Sequence, residues 1–312
     1  MDGVKRYYSS FETRLGNWIV YGGRAHLGYY SPDVWWPFPV HRALIAMEEQ
    51  VFRSLRLSPG ARVLDAGCGD GQVAIYFAQK GLRVQAIDVL PQQVQQAQRN
   101  VQVATHRTAD WTAKLKSDTV SALDALTVQQ GDYHELAMGN DSLDGVYTME
   151  TLVHATDLAR VLSEFYRVLR PGGRIALYEY DHWREDEVPQ AGSSADETAM
   201  DKVRLYGAIS NAANRPVLSP LLDQSVHFGP RTGLGGMLGK VGFEDVREED
   251  ITRNVKPMIR FLAYVLYIPS MIVLGLGLEA YFINTVAIVA NYQRGWKYIA
   301  VTARKPATES GW

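Results

Sequence analysis

Two acidic residues flank a glycine-rich stretch in a pattern that suits a cationic ligand. Asp65 lies just before the glycines of the segment VLDAGCGDG (63–71), and Asp88 closes the next apolar run. Glycines permit a sharp turn and let a ligand approach the backbone, while the amides of a following helix point at that ligand. A dinucleotide-binding turn would carry a third glycine where Gln72 stands. The pattern therefore favours a nucleoside without pyrophosphate, with the Asp88 carboxylate within reach of ribose hydroxyl groups.

A nucleoside that fits these residues is S-adenosylmethionine, whose ribose carries a tail with ammonium and sulfonium groups. Carboxylates suit those positive charges, whereas Asp65 would repel a phosphate. Asp132 is predicted to accept from the adenine amine with Tyr133 beside the ring, and a turn role after Gly131 is its alternative. For the whole stretch, the alternative is an ordinary strand, turn and helix. The residues predicted to hold the cofactor are Asp65, Ala66, Gly67, Gly69, Asp88, Val89, Asp132, Tyr133 and Glu150.

The elements that must position these residues alternate along the sequence. Helices are predicted at 41–57, from Gln72, at 92–103, at 158–169 after a cap at Thr156 or Asp157, at 199–213 and at 234–242. Strands are predicted at 84–88, 126–130, 144–149, 174–180, 243–252 and 296–303, besides the one that ends near Asp65. Such alternation predicts an α/β fold with a doubly wound, parallel sheet. The carboxyl ends of its strands would bring together Asp65, Asp88, Asp132, Glu150 and Tyr178.

Composition narrows the class of protein. The 312 residues contain 32 Lys plus Arg and 34 Asp plus Glu, so no excess of positive charge points to nucleic acid. The single cysteine, Cys68, excludes an internal disulfide and indicates a reducing compartment, which we expect to be the cytoplasm. The seven histidines lack the spacing of metal ligands, so no metal site is predicted. The many aromatic residues suggest a large apolar pocket for a lipophilic small molecule.

The protein is expected to divide into four parts. Residues 1–57 form an aromatic N-terminal flap and a helix, and residues 58–182 form the cofactor-binding core. Residues 183–240 form a lid or substrate insertion, and residues 241–312 form the closing strands with an apolar insertion at 258–290. The uncharged run 261–278 is long enough to resemble a membrane span, but Pro269 and the need for the last strand to rejoin the sheet favour a folded apolar lid. Peripheral contact with a membrane surface is the accompanying expectation.

Several stretches resemble class I S-adenosylmethionine-dependent methyltransferases, and within them the C-methyltransferases that act on sterol side chains and the related tocopherol methyltransferases. The resemblance implies a seven-stranded, mostly parallel sheet of the Rossmann-like methyltransferase type, with the last strand antiparallel. The stretch METLVHA (149–155) is similar to the sterol enzymes, in which a glutamate and a histidine follow the fourth strand. The matching stretches are GGRAHLGYY (22–30), VLDAGCGDG (63–71), GDYHEL (131–136), DSLDGVYTMETLVHATD (141–157), FYRVLRPGGRIALYEY (165–180) and VTARKP (301–306).

Methyl transfer is an in-line displacement at a sulfonium, so the protein must position the acceptor, exclude water and, for some acceptors, remove a proton. His154 is the predicted base, because its ordinary pKa lies near neutrality; fixing its loop by a backbone hydrogen bond is the alternative. Glu150 is predicted to hold polar groups of the substrate or the cofactor amine. Tyr178 is a further catalytic candidate. Residues of second rank are His26, Tyr29, Glu179, Asp181 and His182.

Three functions remain open at this point. The first is S-adenosylmethionine-dependent methylation, at carbon, of a lipophilic small molecule such as a terpenoid, a sterol or another secondary metabolite. The second is methylation of an oxygen or nitrogen of a secondary metabolite. The third is a protein that binds the cofactor without methylating, either as a partner or as a cyclase that uses the bound positive charge.

Overall fold

The structure is a computed structural model that describes residues 24, 26–115, 122–181, 233–277, 285, 286, 288, 289, 292 and 297–307. The aromatic N-terminal flap before residue 24, most of the lid at 183–240, and the second-rank residue His182 lie outside the described residues. A helix predicted at 199–213 also lies outside them.

Strands and helices alternate through the described part of the protein. The strands are β1 (Arg62–Ala66), β2 (Arg83–Asp88), β3 (Leu126–Gln130), β4 (Leu143–Met149), β5 (Leu169–Asp181), β6 (Glu244–Asp250) and β7 (Lys297–Arg304). The helices are α1 (Val40–Leu55), α2 (Gln72–Gln79), α3 (Pro91–Leu115), α4 (Leu158–Val168), α5 (Gly233–Val241) and α6 (Thr252–Gly275). Short 3₁₀ turns occupy Ala122–Ala125 and Leu152–His154.

The strands form one seven-stranded sheet in the order β3-β2-β1-β4-β5-β7-β6. The pairs β2–β3, β1–β2, β1–β4 and β4–β5 are parallel. Near the start of β5, Gly172 N donates to Lys305 O, just after β7, and Lys305 N donates to Gly173 O. The ion pair of Arg304 with Glu244 likewise joins the end of β7 to the start of β6. β7 therefore runs antiparallel to its neighbours, and the predicted fold class is confirmed.

The protein divides into two compact units. The core unit contains residues 48–179, 224–249 and 300–312, and the second unit contains residues 1–47, 180–223 and 250–299. In the core unit, α4 begins where the Asp157 carboxylate accepts from Arg160 N at 2.9 Å, which satisfies an amide at the start of the helix. Its apolar residues at helical spacing are buried, as the sequence predicts: Leu158, Val161, Leu162, Phe165 and Val168.

Three element boundaries predicted from the sequence are wrong. Helix α3 runs to Leu115 instead of ending at Val103, because the segment carries Ala104, Ala109 and Ala113 and no glycine or proline, so it continues the helix although it lacks an apolar stripe. Strand β5 begins at Leu169 instead of Arg174, because proline and glycine tolerate extended and irregular backbone at a bulge in its pairing with β4. Thr252, predicted to end a strand, begins helix α6, which continues into the apolar run.

Candidate cofactor and active site

Four acidic residues lie at the carboxyl ends of four neighbouring strands of the core unit. Asp65 is the second-last residue of β1, Asp88 ends β2, and Asp132 and Glu150 closely follow β3 and β4. Because these strands are parallel and adjacent, their carboxyl ends meet at one edge of the sheet. The structure thus brings together the acidic residues that the sequence predicts to share a site.

The glycine-rich turn after β1 is fastened to β2. The amides of Gly67 and Cys68 both donate to Ile87 O at 2.9 Å. Gly69 N donates to Asp88 Oδ2 at 3.0 Å. The Asp88 carboxylate, predicted to reach a ribose, therefore also holds the turn in place. Cys68 is buried, and burial raises the pKa of its thiol well above the ordinary value, which suits a packing residue and not a nucleophile.

Gly67 is required by both its conformation and its surroundings. Its φ is +93°, in the region that favours glycine, and a Cβ there would lie 2.1 Å from Thr151 Oγ1. The turn therefore packs directly against the segment that follows β4. Thr151 was not among the site residues predicted from the sequence. The only sequence signal for it is its position between Glu150 and His154.

Asp65 is a buried carboxylate suited to a positive charge. Its exposed fraction is 3%, and among the described residues Oδ2 accepts no hydrogen bond. The Tyr147 hydroxyl is close enough to lower the pKa of Asp65 but makes no hydrogen bond of good geometry with it. Burial dominates and raises this pKa to about 7, and repulsion from Asp88 and Asp70 adds to the shift. An ammonium group bound here would supply the missing partner and favour the ionised carboxylate.

Asp88 keeps acceptor capacity for a ligand. Its Oδ1 accepts from Leu90 N at 2.9 Å, and Oδ2 accepts from Gly69 N. Burial raises its pKa, and these two backbone hydrogen bonds oppose the shift. Each carboxylate oxygen has further lone pairs for hydroxyl donors. Val89, predicted beside the cofactor, is half-buried, and its carbonyl oxygen accepts from Gln130 Nε2 at 3.2 Å.

The loop after β3 is organised by His134. Its Nε2 accepts from the amides of Thr156 and Asp157 at 3.0 and 3.3 Å, so Nδ1 carries the proton and donates to Asp132 Oδ1 at 2.6 Å. One oxygen of the predicted adenine acceptor is thereby occupied. The Tyr133 hydroxyl donates to Thr151 O at 3.3 Å. This role of His134 was not predicted from the sequence, where its spacing was weighed only for metal binding.

The segment after β4 carries the two predicted catalytic residues. Glu150 has a φ of +55°, and its amide donates to Tyr178 O at 2.9 Å. His154 ends the 3₁₀ turn, with its amide donating to Thr151 O at 3.1 Å. Burial lowers the pKa of the His154 imidazole from 6.5 to about 4. The ring is therefore neutral near pH 7 and is a weaker base than an ordinary histidine.

Glu179, a candidate of second rank, is hydrogen-bonded to the segment that follows β4. Its carboxyl group is 3% exposed and accepts from Thr148 Oγ1 at 2.8 Å, Thr151 N at 3.3 Å and Leu152 N at 3.2 Å. Burial raises its pKa to about 8, and the three hydrogen bonds oppose the shift. Glu179 thus acts on the backbone of the turn that bears His154.

Tyr178, His26 and Tyr29 are the remaining candidates whose side chains the structure describes. Tyr178 is buried next to Glu150 in the sheet, and its hydroxyl lies 2.7 Å from Ser54 Oγ; its catalytic role stays a prediction. His26 and Tyr29 belong to the second compact unit. His26 is buried beside Leu27 O, and burial lowers its pKa to about 4.

Comparison with known proteins places this geometry in a family. A family model described as a methyltransferase domain matches residues 64–177. The S-adenosyl-L-methionine-dependent Diels-Alderase iccD of Talaromyces variabilis is 34% identical over 306 residues, 97% of this chain and 94% of that protein. The O-methyltransferase resE of Aspergillus sclerotiorum is 31% identical over 260 residues, 83% of this chain and 82% of that protein. The solved structure of the 4+2 cyclase SpnF is 22% identical with a TM-score of 0.61, covering 97% of this chain and 95% of its own, which shows the shared fold.

The site and the comparisons agree on the cofactor. Three features fit a cationic nucleoside: the Asp65 oxygen that has no hydrogen-bond partner in the described part of the protein, the glycine turn, and the acidic residue that ends β2. The predicted family is confirmed by a relative that matches along almost the whole sequence. This chain belongs to the class I S-adenosyl-L-methionine-dependent methyltransferase family, whose cofactor is S-adenosyl-L-methionine.

Proposed function

We propose that this protein catalyses an intramolecular Diels–Alder cyclisation of a lipophilic conjugated polyene, with S-adenosyl-L-methionine bound but not consumed. The observation that carries the proposal is the extent of the similarity to iccD, 97% of this chain and 94% of that protein. The methyltransferase domain model ends at residue 177, so the similarity includes the segments beyond the cofactor core. These are the segments in which a substrate pocket is expected.

The state of His154 supports a reaction without proton transfer. In a Diels–Alder reaction the two π bonds of a diene and the π bond of an alkene are replaced by two carbon–carbon σ bonds and one new π bond, and no atom leaves and no proton moves. A pKa of about 4 makes His154 a weak base but leaves a neutral ring that can donate an N–H. Such a donor, aimed at a carbonyl that activates the alkene, would lower the barrier to cyclisation.

The acidic residues would hold the cofactor in the way the sequence predicts. Asp65 would pair with the ammonium group, Asp88 would accept from the ribose hydroxyls, and the free oxygen of Asp132 would accept from the adenine amine. Gly67 and Gly69 would let the nucleoside approach the turn. When bound, the cofactor supplies a positive charge next to the substrate.

Methyl transfer is the second candidate, and the similarity to resE over 83% of the sequence favours it. The acceptor would be a carbon, oxygen or nitrogen of the same lipophilic class of molecule. Proton removal by His154 would then work against the low pKa of the ring. This is the physical reason for placing cyclisation first.

The test uses synthetic linear polyenes in which a conjugated diene and a carbonyl-activated alkene belong to one molecule. Each is incubated with the protein and either methyl-deuterated S-adenosylmethionine or sinefungin, which keeps a positive charge but has no transferable methyl group. We expect an isomer of unchanged mass with either cofactor, and little of it from Asp88→Ala. A product that gains the labelled methyl group, or no cyclisation above the rate in buffer, would reject the proposal.

A further inference from the structure

Helix α6 of the second unit carries an exposed apolar ridge. Tyr264, Ile268, Ile272 and Leu276 recur every four residues, on one side of the helix, and are 58–69% exposed. Exposed large apolar side chains are normal when they are scattered singly, but a contiguous row indicates an interaction surface.

Aromatic residues from segment 34–38 extend this ridge. The Arg260 guanidinium lies 3.6 Å from the centre of the Trp35 ring. Trp36 and Phe38 contact the Phe261 ring at centroid distances of 5.7 and 5.1 Å. Trp35 and Trp36 are nevertheless 65% and 60% exposed. Since Arg260 and Phe261 lie one helical turn before the ridge, the aromatic residues and the ridge form one surface.

The side of α6 that faces away from the ridge packs against residues 28–30 of the second unit. Asn254 Nδ2 donates to Tyr30 O at 2.8 Å, and Tyr30 N donates to Asn254 O at 2.9 Å. Met258 Sδ accepts from Gly28 N at 3.4 Å. By length and composition alone, helix α6 is long and apolar enough to cross a membrane, and it is the one such helix among the described residues. Its packed side and its two internal prolines favour a helix that lies on a surface over one that crosses a bilayer.

The charged residues of α6 indicate what kind of surface the ridge would bind. Helix α6 contains three basic residues and no acidic residue. Its periodicity places Arg253, Lys256 and Arg260 in a row that continues into Tyr264 and Tyr267, beside the aliphatic part of the ridge. Basic and aromatic side chains suit the headgroup level of a membrane, while isoleucine and leucine suit the acyl region below it.

We propose that α6, together with Trp35 and Trp36, docks this protein on an anionic phospholipid surface. The aliphatic ridge would enter the outer acyl region, the tryptophans would lie at the interface, and the basic row would face lipid phosphates. This assignment does not depend on the reaction that the core unit catalyses.

The test is co-sedimentation of the full-length protein with vesicles of phosphatidylcholine, with and without phosphatidylserine. We expect the protein to sediment with the anionic vesicles. Changing Ile268→Glu and Ile272→Glu together should weaken this binding at least about tenfold, because charge replaces buried aliphatic surface. Arg253→Ala with Lys256→Ala should weaken binding to phosphatidylserine vesicles about tenfold and leave binding to neutral vesicles unchanged.

The matched control is Val103→Glu, since Val103 is 49% exposed on a helix of the core unit. This variant should bind vesicles like the wild type, and circular dichroism should show that every variant is folded. The proposal is overturned if the wild type stays in the supernatant with both kinds of vesicle, or if the isoleucine variants bind as well as the wild type. A dimer in light scattering that the isoleucine changes disperse would assign the surface to a second copy of the protein instead.

Discussion

Replacing Glu179 with glutamine tests how the turn that carries His154 is held. In the wild type, the buried carboxyl group accepts from Thr148, Thr151 and Leu152. Glutamine has nearly the same size but only one acceptor oxygen, so its amide nitrogen must face a donor. A buried backbone amide left without a hydrogen-bond acceptor lowers the free energy of unfolding by about 1–3 kcal/mol.

The pH dependence makes the prediction specific. Glu179 has a pKa of about 8 in the folded protein, against an ordinary value of 4.5. The folded state therefore holds its proton more tightly than the unfolded state does. The contribution of this group to stability is complete below pH 4.5 and is lost as the pH rises towards about 8. The loss is on the order of a few kcal/mol. Glutamine does not titrate, so the Glu179→Gln variant lacks this loss.

Urea midpoints of wild type and variant, followed by circular dichroism from about pH 5 to about pH 9, measure this difference. We expect the variant to be less stable at the acidic end and the gap to close or reverse at the alkaline end. Glu135→Gln, at a residue whose side chain is 84% exposed, should run parallel to the wild type. Parallel curves for Glu179→Gln would refute the assignment of a buried, proton-holding carboxyl group.

Three other predictions concern the site directly. Gly67→Ala should lower the free energy of unfolding by about 2–4 kcal/mol, measured by thermal unfolding, because the added Cβ would clash with Thr151. Gly139→Ala is the control, since a Cβ at Gly139 meets open space, and it should change this free energy by less than about 0.5 kcal/mol. Calorimetry should show S-adenosylmethionine affinity falling as pH drops below about 7, since protonated Asp65 cannot pair with a cation, and Asp65→Asn should abolish that dependence. At saturating S-adenosylmethionine, where the pH dependence of cofactor binding does not limit the rate, turnover should stay level through pH 6.5, because His154 is neutral above about pH 4. A step near pH 6.5 under these conditions would mean that the ring titrates normally.

Patterns local in sequence predicted most of the fold. The alternation of apolar runs with helical segments predicted the parallel sheet. The predicted acidic residues lie together at the carboxyl ends of the strands, because the strand order makes β1 to β4 neighbours. The length of helix α3 was underestimated because the residues after Val103 leave no apolar stripe, although alanines recur among them and no glycine or proline ends the helix. The start of β5 was missed because Pro171 and Gly172 usually end an element.

The site was predicted less completely, because its supporting contacts join residues far apart in the sequence. Glu179 reaches Thr151 across 28 positions, and His134 reaches the start of α4 across 22. Neither contact has a local signature in the sequence. Burial, which shifts the pKa values of Asp65, His154 and Glu179, likewise follows from the packed structure.

In the proposed reaction, the bound cofactor takes part in turnover without being consumed. This is tested by quantifying, with mass spectrometry over many turnovers, the amount of S-adenosylhomocysteine released for each molecule of product. The proposed cyclisation predicts product in large excess, with no S-adenosylhomocysteine above the rate of spontaneous breakdown. One molecule of S-adenosylhomocysteine for each molecule of product would contradict it and establish methyl transfer.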